Sequence, residues 1–143
     1  EMCIRDRLIN LKIKSATKAG LKIIFCIGET LAEKRNKKTN QVLAKQINTG
    51  LKSIKNKSNI ILAYEPVWSI GSGLIPNNED LLKTVSFIKS KFTKKGPKIL
   101  YGGSVNSKNI SQLKDINIID GFLVGGASQS SKNFIDIIKK TFN

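Results

Sequence analysis

One carboxylate in this chain stands where a general base could be built. Glu65 ends the apolar run Ile60-Ile61-Leu62-Ala63-Tyr64. Pro66 follows at once, then Val67-Trp68-Ser69-Ile70, then Gly71 and Gly73 on either side of Ser72. A short apolar run bounded by Pro and Gly reads as a buried strand. Its tip presents Glu65 to a loop that is stiff at the proline and pliable at the glycines. A carboxylate under a loop able to close over it and exclude water is suited to general-base work. The competing reading is a solvated or paired surface charge, the usual state of a glutamate.

Two further glycine corners lie downstream, Gly102-Gly103-Ser104 and Gly125-Gly126. Each follows a short apolar run. Glycine lets backbone N–H groups turn toward a ligand without interference from a Cβ atom, and helix starts close behind add positive dipole ends. Singly, each pair is weak evidence and is more often a tight turn. Recurring at the same end of successive strands, beside Glu65, they predict an anion cradle, most simply for a phosphate.

Positioning these groups requires a particular order of elements. A helix is predicted over Leu8 to Ala19 with Gly20 as its stop, and a strand over Lys22 to Ile27 ending at Gly28-Glu29. A helix starting near Thr39 carries Leu43, Ile47, Leu51 and Ile54 at helical spacing. The strand Ile60–Tyr64 follows. Asn77 and Glu79 open a helix with the apolar face Leu81, Val85, Ile88 and Phe92. Lys98 to Tyr101 is a strand, Ser107 to Leu113 a short helix, and Gly121 to Val124 a last strand. A final helix holds Phe134, Ile138 and Phe142. Four strand–helix units in series imply parallel strands joined by right-handed crossovers, buried on both faces. Doubly wound sheets and (β/α)8 barrels both fit, and four units are half of a barrel.

The 143 residues suffice for one domain with a core. No apolar run is long enough to span a membrane. Cys3 and Cys26 fit no metal or disulfide spacing, so a reducing cytoplasm is the expected setting, with Cys26 as a small buried hydrophobe. The net charge is +15, from 25 Lys and Arg against 10 Asp and Glu. The lysines spread along helix faces and are not interleaved with exposed aromatics, which argues against a nucleic-acid groove and for a solvated basic surface with general anion steering. Histidine is absent.

The motifs Cys26-Ile27-Gly28-Glu29, Ala63-Tyr64-Glu65-Pro66-Val67-Trp68 with Ile70-Gly71-Ser72-Gly73, Tyr101-Gly102-Gly103-Ser104-Val105, and Asp120 through Ser128 resemble the triosephosphate isomerase family in order and approximate spacing. The likeness runs from about Leu8 to the C-terminus. It implies the C-terminal half of a (β/α)8 barrel: four parallel strands, each followed by a helix, with one helix in front. It implies an enzyme that interconverts dihydroxyacetone phosphate and glyceraldehyde 3-phosphate, without cofactor or metal. Glu65 is then the catalytic base. The backbone amides of Gly71, Ser104, Gly125 and Gly126 hold the substrate phosphate. Pro66, Val67, Trp68 and Gly73 belong to the lid, which runs to Leu74, and Trp68 anchors it by packing. Leu123 packs against the base, and Glu29 pairs with a cation on a neighbouring element. The resemblance further implies a homodimeric parent protein, with no nucleic-acid or membrane partner.

The chain also departs from the family. The Asn and Lys of the early strands and the electrophilic His have no counterpart. The expected consequence is a catalytically incompetent phosphate-binding fragment, because losing one such donor costs about 10²–10³ in rate. The opening residues 1–7 do not resemble the family and are expected to be a non-native leader to a partial barrel over 8–143. A basic nucleic-acid-binding module is the remote third reading.

Overall fold

The computed structural model describes residues 2–93 and 96–142. In chain order the elements are α1 (Met2–Lys18), β1 (Ile23–Ile27), α2 (Leu31–Arg35), α3 (Thr39–Gly50), β2 (Ile60–Tyr64), α4 (Asn78–Ser90), β3 (Ile99–Gly102), α5 (Ile110–Lys114), β4 (Gly121–Leu123) and α6 (Ser131–Phe142). Short 3-10 turns at Val67–Ser69 and Gly126–Gln129 follow β2 and β4. The four strands form one sheet in the order β1-β2-β3-β4, every pair parallel. This is the arrangement of half a (β/α)8 barrel, as the strand–helix alternation predicts.

The helix starts follow from local chemistry. Thr30 accepts from the Glu33 amide while the Glu33 carboxylate accepts from the Thr30 amide at 2.8 Å, a reciprocal cap that opens α2. The sequence reading omits α2, although the Thr-x-x-Glu spacing signals it. Asn77 caps α4 by accepting from the Asp80 amide at 2.8 Å, and Glu79 and Asp80 sit in its first turn. Helix α1 begins at Met2 instead of Leu8, so residues 2–7 are helical, and Glu1 lies outside the described residues.

The core lies between one face of the sheet and the helices. Phe25, Leu62, Ile99 and Tyr101 meet Leu43 and Ile47 of α3, Leu81, Val85 and Ile88 of α4, and Ile110 and Leu113 of α5. The partners Phe25↔Leu62↔Ile99 and Ile27↔Tyr64↔Tyr101↔Phe122 share this side of the pleat. Burying each large side chain here contributes about 1.5–3 kcal/mol.

The other face is covered unevenly. Ala63 in β2 is fully buried, but Ile24 in β1 is 49% exposed and Cys26 is exposed. The expectation of strands buried on both faces, with Cys26 a buried hydrophobe, therefore fails at β1. The strand is a sheet edge with a single neighbour, and its alternate residues point away from the helices. Helix α6 likewise leaves Phe134, Ile135, Ile138 and Phe142 exposed.

Two open parallel edges and this much exposed apolar surface favour self-association. The expected result is a thermal transition whose midpoint rises with protein concentration over the micromolar range. A sharp, concentration-independent transition of a monomer would count against it.

Candidate active site

The C-terminal ends of β2, β3 and β4 bring Glu65, Gly71, Gly73, Ser104, Gly125 and Gly126 to the wall of one cavity of about 330 Å³. Ile70, Gly103, Val105, Asn106, Leu123 and Ala127 complete the lining. Four residues singled out for anion binding thus share a cavity with the candidate base. Pro66, Val67 and Trp68 do not line it. They form the first turn of the loop after β2, where Pro66 is buried and Val67 is 52% exposed.

Glu65 is held from both flanks. Its amide donates to the Ile27 carbonyl at 2.8 Å, extending the β1–β2 ladder by one residue. Its side chain lies over Gly102, where an added Cβ would stand 2.8 Å from Glu65 Cγ and Oε1. Glycine at 102 is what leaves room for the carboxylate. No N–H or O–H group among the described residues donates to that carboxylate, so it is not spent on a structural ion pair.

Cys26 is the group beside it. Partial burial first, then a hydrogen bond to Glu65 and the Glu65 charge, push the Cys26 thiol from 9.0 up to about 12. The folded chain thus favours the neutral thiol. This contribution to stability is complete below about pH 9 and is lost as pH rises toward 12, in the window where Tyr101, also raised to about 12 mainly by burial, titrates too. In a Cys3→Ser background, iodoacetamide at pH 8.5 should modify Cys26 well over tenfold more slowly than a free cysteine, since the thiolate is the nucleophile. Modification at the free-cysteine rate would show that neither burial nor Glu65 holds the thiol neutral.

The amides of Gly71, Ser104, Gly125 and Gly126 make no hydrogen bond among the described residues, leaving four donors at the cavity wall. Ser104 adopts a left-handed conformation, φ 47°, unusual for a residue with a Cβ. Asn106 Nδ2 and Asn109 Nδ2 donate to its carbonyl at 3.0 and 2.9 Å and hold it there. The sequence reading passed over both asparagines, though the Asn-x-x-Asn spacing behind Gly-Gly-Ser is a turn signal. Gly71 and Gly73 have φ of 67° and 79°. A β-branched residue at either would strain the loop.

Behind the lid, Glu29 is fully buried. It accepts from Trp68 Nε1 at 2.9 Å and from Tyr64 Oη at 3.2 and 3.3 Å. The expected cation partner is not what it meets among the described residues. Neutral donors satisfy it, and Lys34 instead lies over the Trp68 ring at 4.8 Å while pairing with Asp80. Trp68 is thus tied to the end of β1 by a hydrogen bond to Glu29. Burial, then the Glu29 charge, push the Tyr64 hydroxyl well above its ordinary range, so Tyr64 remains a donor to Glu29.

The cavity lining contains no Lys, Arg or His, and the chain has no His at all. The site can take a proton and can present amides to an anion. It has no cationic or imidazole group to stabilise developing oxyanion charge. Among the described residues no cluster of three or more His, Cys, Asp or Glu could hold a metal ion, and no helix is long and apolar enough to cross a membrane.

The family model described as triosephosphate isomerase matches residues 2–141. The chain is 45% identical over 141 residues to the triosephosphate isomerase of Candida albicans, 44% over 140 to that of Saccharomyces cerevisiae, and 41% over 140 to that of Thermodesulfovibrio yellowstonii. These alignments cover 94%, 93% and 94% of this chain, in that order, but only 56%, 56% and 57% of the relatives' lengths.

Proposed function

Because the chain belongs to the triosephosphate isomerase family, we propose that it supplies the base and the phosphate cradle of an isomerase acting on triose phosphates. The observation that carries this reading is the shared cavity, in which Glu65 meets three glycine-bearing loops whose Gly71, Ser104, Gly125 and Gly126 amides are unspent. In the proposed reaction the substrate phosphate takes the amides of Gly71, Ser104, Gly125 and Gly126. A Glu65 carboxylate oxygen removes a proton from C1 of dihydroxyacetone phosphate, leaving an enediolate. The hydroxyl proton passes from O1 to O2 of the intermediate, and Glu65 returns the proton it took to C2, giving glyceraldehyde 3-phosphate. C1 is oxidised at the expense of C2 within one molecule, so no external oxidant or reductant is needed, and the reading includes no cofactor or metal. The lid Pro66–Leu74 excludes water, which favours the basicity of the carboxylate and shields the intermediate from loss of phosphate. The reading places the protein in glycolysis and gluconeogenesis in the cytoplasm, as one subunit of a homodimer, with no nucleic-acid or membrane partner.

A second reading applies to these 143 residues acting alone. The lining without a cation and the absence of histidine favour a phosphate-binding but catalytically incompetent chain.

One experiment separates the two. The chain is assayed for isomerase activity alone and mixed with the N-terminal half of a homologous triosephosphate isomerase. Activity in the mixture only is the expected result. Activity of the chain alone would remove the second reading, and an inert mixture that nonetheless forms a complex would remove the first. Titration with glycerol 3-phosphate at rising salt distinguishes the cradle from general attraction to a +15 chain, because only the latter fades as charges are screened.

A further inference from the structure

A second cavity opens at the other end of the sheet, where α3 and α4 end and β2 and β3 begin. Residues between 47 and 58 form one side of it, and Lys91, Phe92, Thr93, Gly96 and Pro97 the other. It encloses about 530 Å³, more than the cavity at Glu65 and within the range of organic-ligand sites. The length of β2 separates the two by about 15–20 Å. The elements around it are consecutive in the chain, so its walls are complete within these residues.

The lining is one-sided in charge. Lys55, Lys57 and Lys91 contribute to it, and no Asp or Glu does. Among the described residues, none of the three enters an ion pair. Asp120 stands on an adjoining cavity that shares Phe92 and Pro97, but it is already spent. It accepts from the Ile99 amide at 2.8 Å and pairs with Lys89 at 3.3 Å. The plainer account is that the lysines balance the C-terminal dipoles of α3 and α4. Each helix end carries about half a negative charge, so the two offset about one ammonium group of the three. About two positive charges are left over.

The loop between α3 and β2 adds neutral donors. The Ile54 and Ile60 amides donate to the Leu51 and Lys57 carbonyls at 3.1 and 3.0 Å, and the Ser58 amide to Asn56 Oδ1 at 2.9 Å. The three amides between, those of Lys55, Asn56 and Lys57, make no hydrogen bond among the described residues. The rest of the wall is apolar, with Phe92 and Pro97 half-buried and Ile47 and Leu51 buried. A bare phosphate would leave that wall unused. A planar base joined to a chain of phosphates uses both parts, the base against Phe92 and the phosphates on the ammonium and amide groups. We propose that this cavity is a binding site for a nucleoside triphosphate, separate from Glu65 and its phosphate loops. It stands independently of the isomerase reading.

The test is calorimetric titration of the whole chain with ATP in about 0.15 M salt, where charges beyond about 8 Å are screened. Lys55→Gln combined with Lys91→Gln should weaken binding about tenfold, the worth of two half-exposed charge contacts. Lys132→Gln combined with Lys139→Gln, on α6, removes the same charge elsewhere and should change it less than about twofold. Equal losses in the two double variants would reduce the effect to general attraction to a +15 chain and overturn the site. No ATP binding by the parent chain would overturn it outright. Saturating glycerol 3-phosphate should leave ATP bound, and its full displacement would put ATP in the Glu65 cavity instead. Phe92→Leu keeps an apolar side chain without the ring. It should weaken ATP about fivefold or more and leave methyl triphosphate unchanged, since stacking goes with the base. Unchanged ATP affinity in that variant would overturn the nucleotide assignment. Should Phe92→Leu fail to fold, the parent chain decides: ATP should bind about fivefold or more tightly than methyl triphosphate of the same charge, and equal affinities would overturn the assignment.

Discussion

Glu65→Gln should lower kcat of the complemented enzyme by about 10²–10⁴-fold, the usual contribution of a positioned general base. The substitution is nearly isosteric and keeps the contact with Gly102, so the fold and the phosphate loops are unaffected. KM should therefore change little if, as proposed, the amides of Gly71, Ser104, Gly125 and Gly126 do the holding. Glu65→Asp keeps the charge but draws the carboxylate back by one methylene. A displacement near 1 Å costs about 10²-fold in a well-oriented reaction, so this variant should also be crippled although it can still take a proton. Steady-state kinetics with both variants decides the point. Equal kcat in parent and Glu65→Gln would mean that another group moves the proton, and the cavity offers no second carboxylate for that task.

Gly28→Ala should destabilise the chain by about 3 kcal/mol or more, at the upper end of what overpacking costs. An added Cβ would stand 2.6 Å from the Glu65 carbonyl carbon and 3.1 Å from Pro66 N. These are backbone atoms and cannot rotate aside. Gly28 is also fixed on its other side, where its amide and carbonyl exchange hydrogen bonds of 3.0 Å with the Gln46 side chain. Either β1 or the base itself must move. In urea the midpoint should fall by about 1 M or more, given typical slopes for a domain of this size. Gly126→Ala is the control. Nothing lies within 4 Å of a Cβ there and the residue opens the 3-10 turn Gly126–Gln129, a backbone that alanine adopts, so its stability should stay within about 0.5 kcal/mol of the parent. A Gly28→Ala chain as stable as that control would show that the β1–β2 contact at Glu65 is looser than the structure has it.

Alternation of apolar runs with helical spacing was enough to determine the element order and the parallel sheet, because period and length respond to local chemistry and burial. The strand Ile60–Tyr64 falls on β2 residue for residue. Glu65 and the glycine corners were legible for the same reason: a carboxylate at a strand tip and a Gly-Gly behind an apolar run are local patterns. Their meeting around one cavity follows from strand order, which parallel crossovers dictate.

Other features depended on partners distant in the chain. Cys26 is apolar by type and sits in an apolar run, yet it is exposed because β1 has a neighbour on one side only. Glu29 invites a cation, yet Tyr64 and Trp68 satisfy it from 35 and 39 residues away. Ser69 looks like any loop serine until Tyr101, 32 residues on, and Leu74 close around it. The sequence by itself thus determined most of the elements, the family and the position of a candidate base, since each is written in residue types at short spacing. Only the tertiary structure decided how the base is housed, what holds the lid, and that no cation reaches the cavity, because hydrogen-bond partners and close approaches are fixed by which distant backbones the sheet brings within a few ångströms.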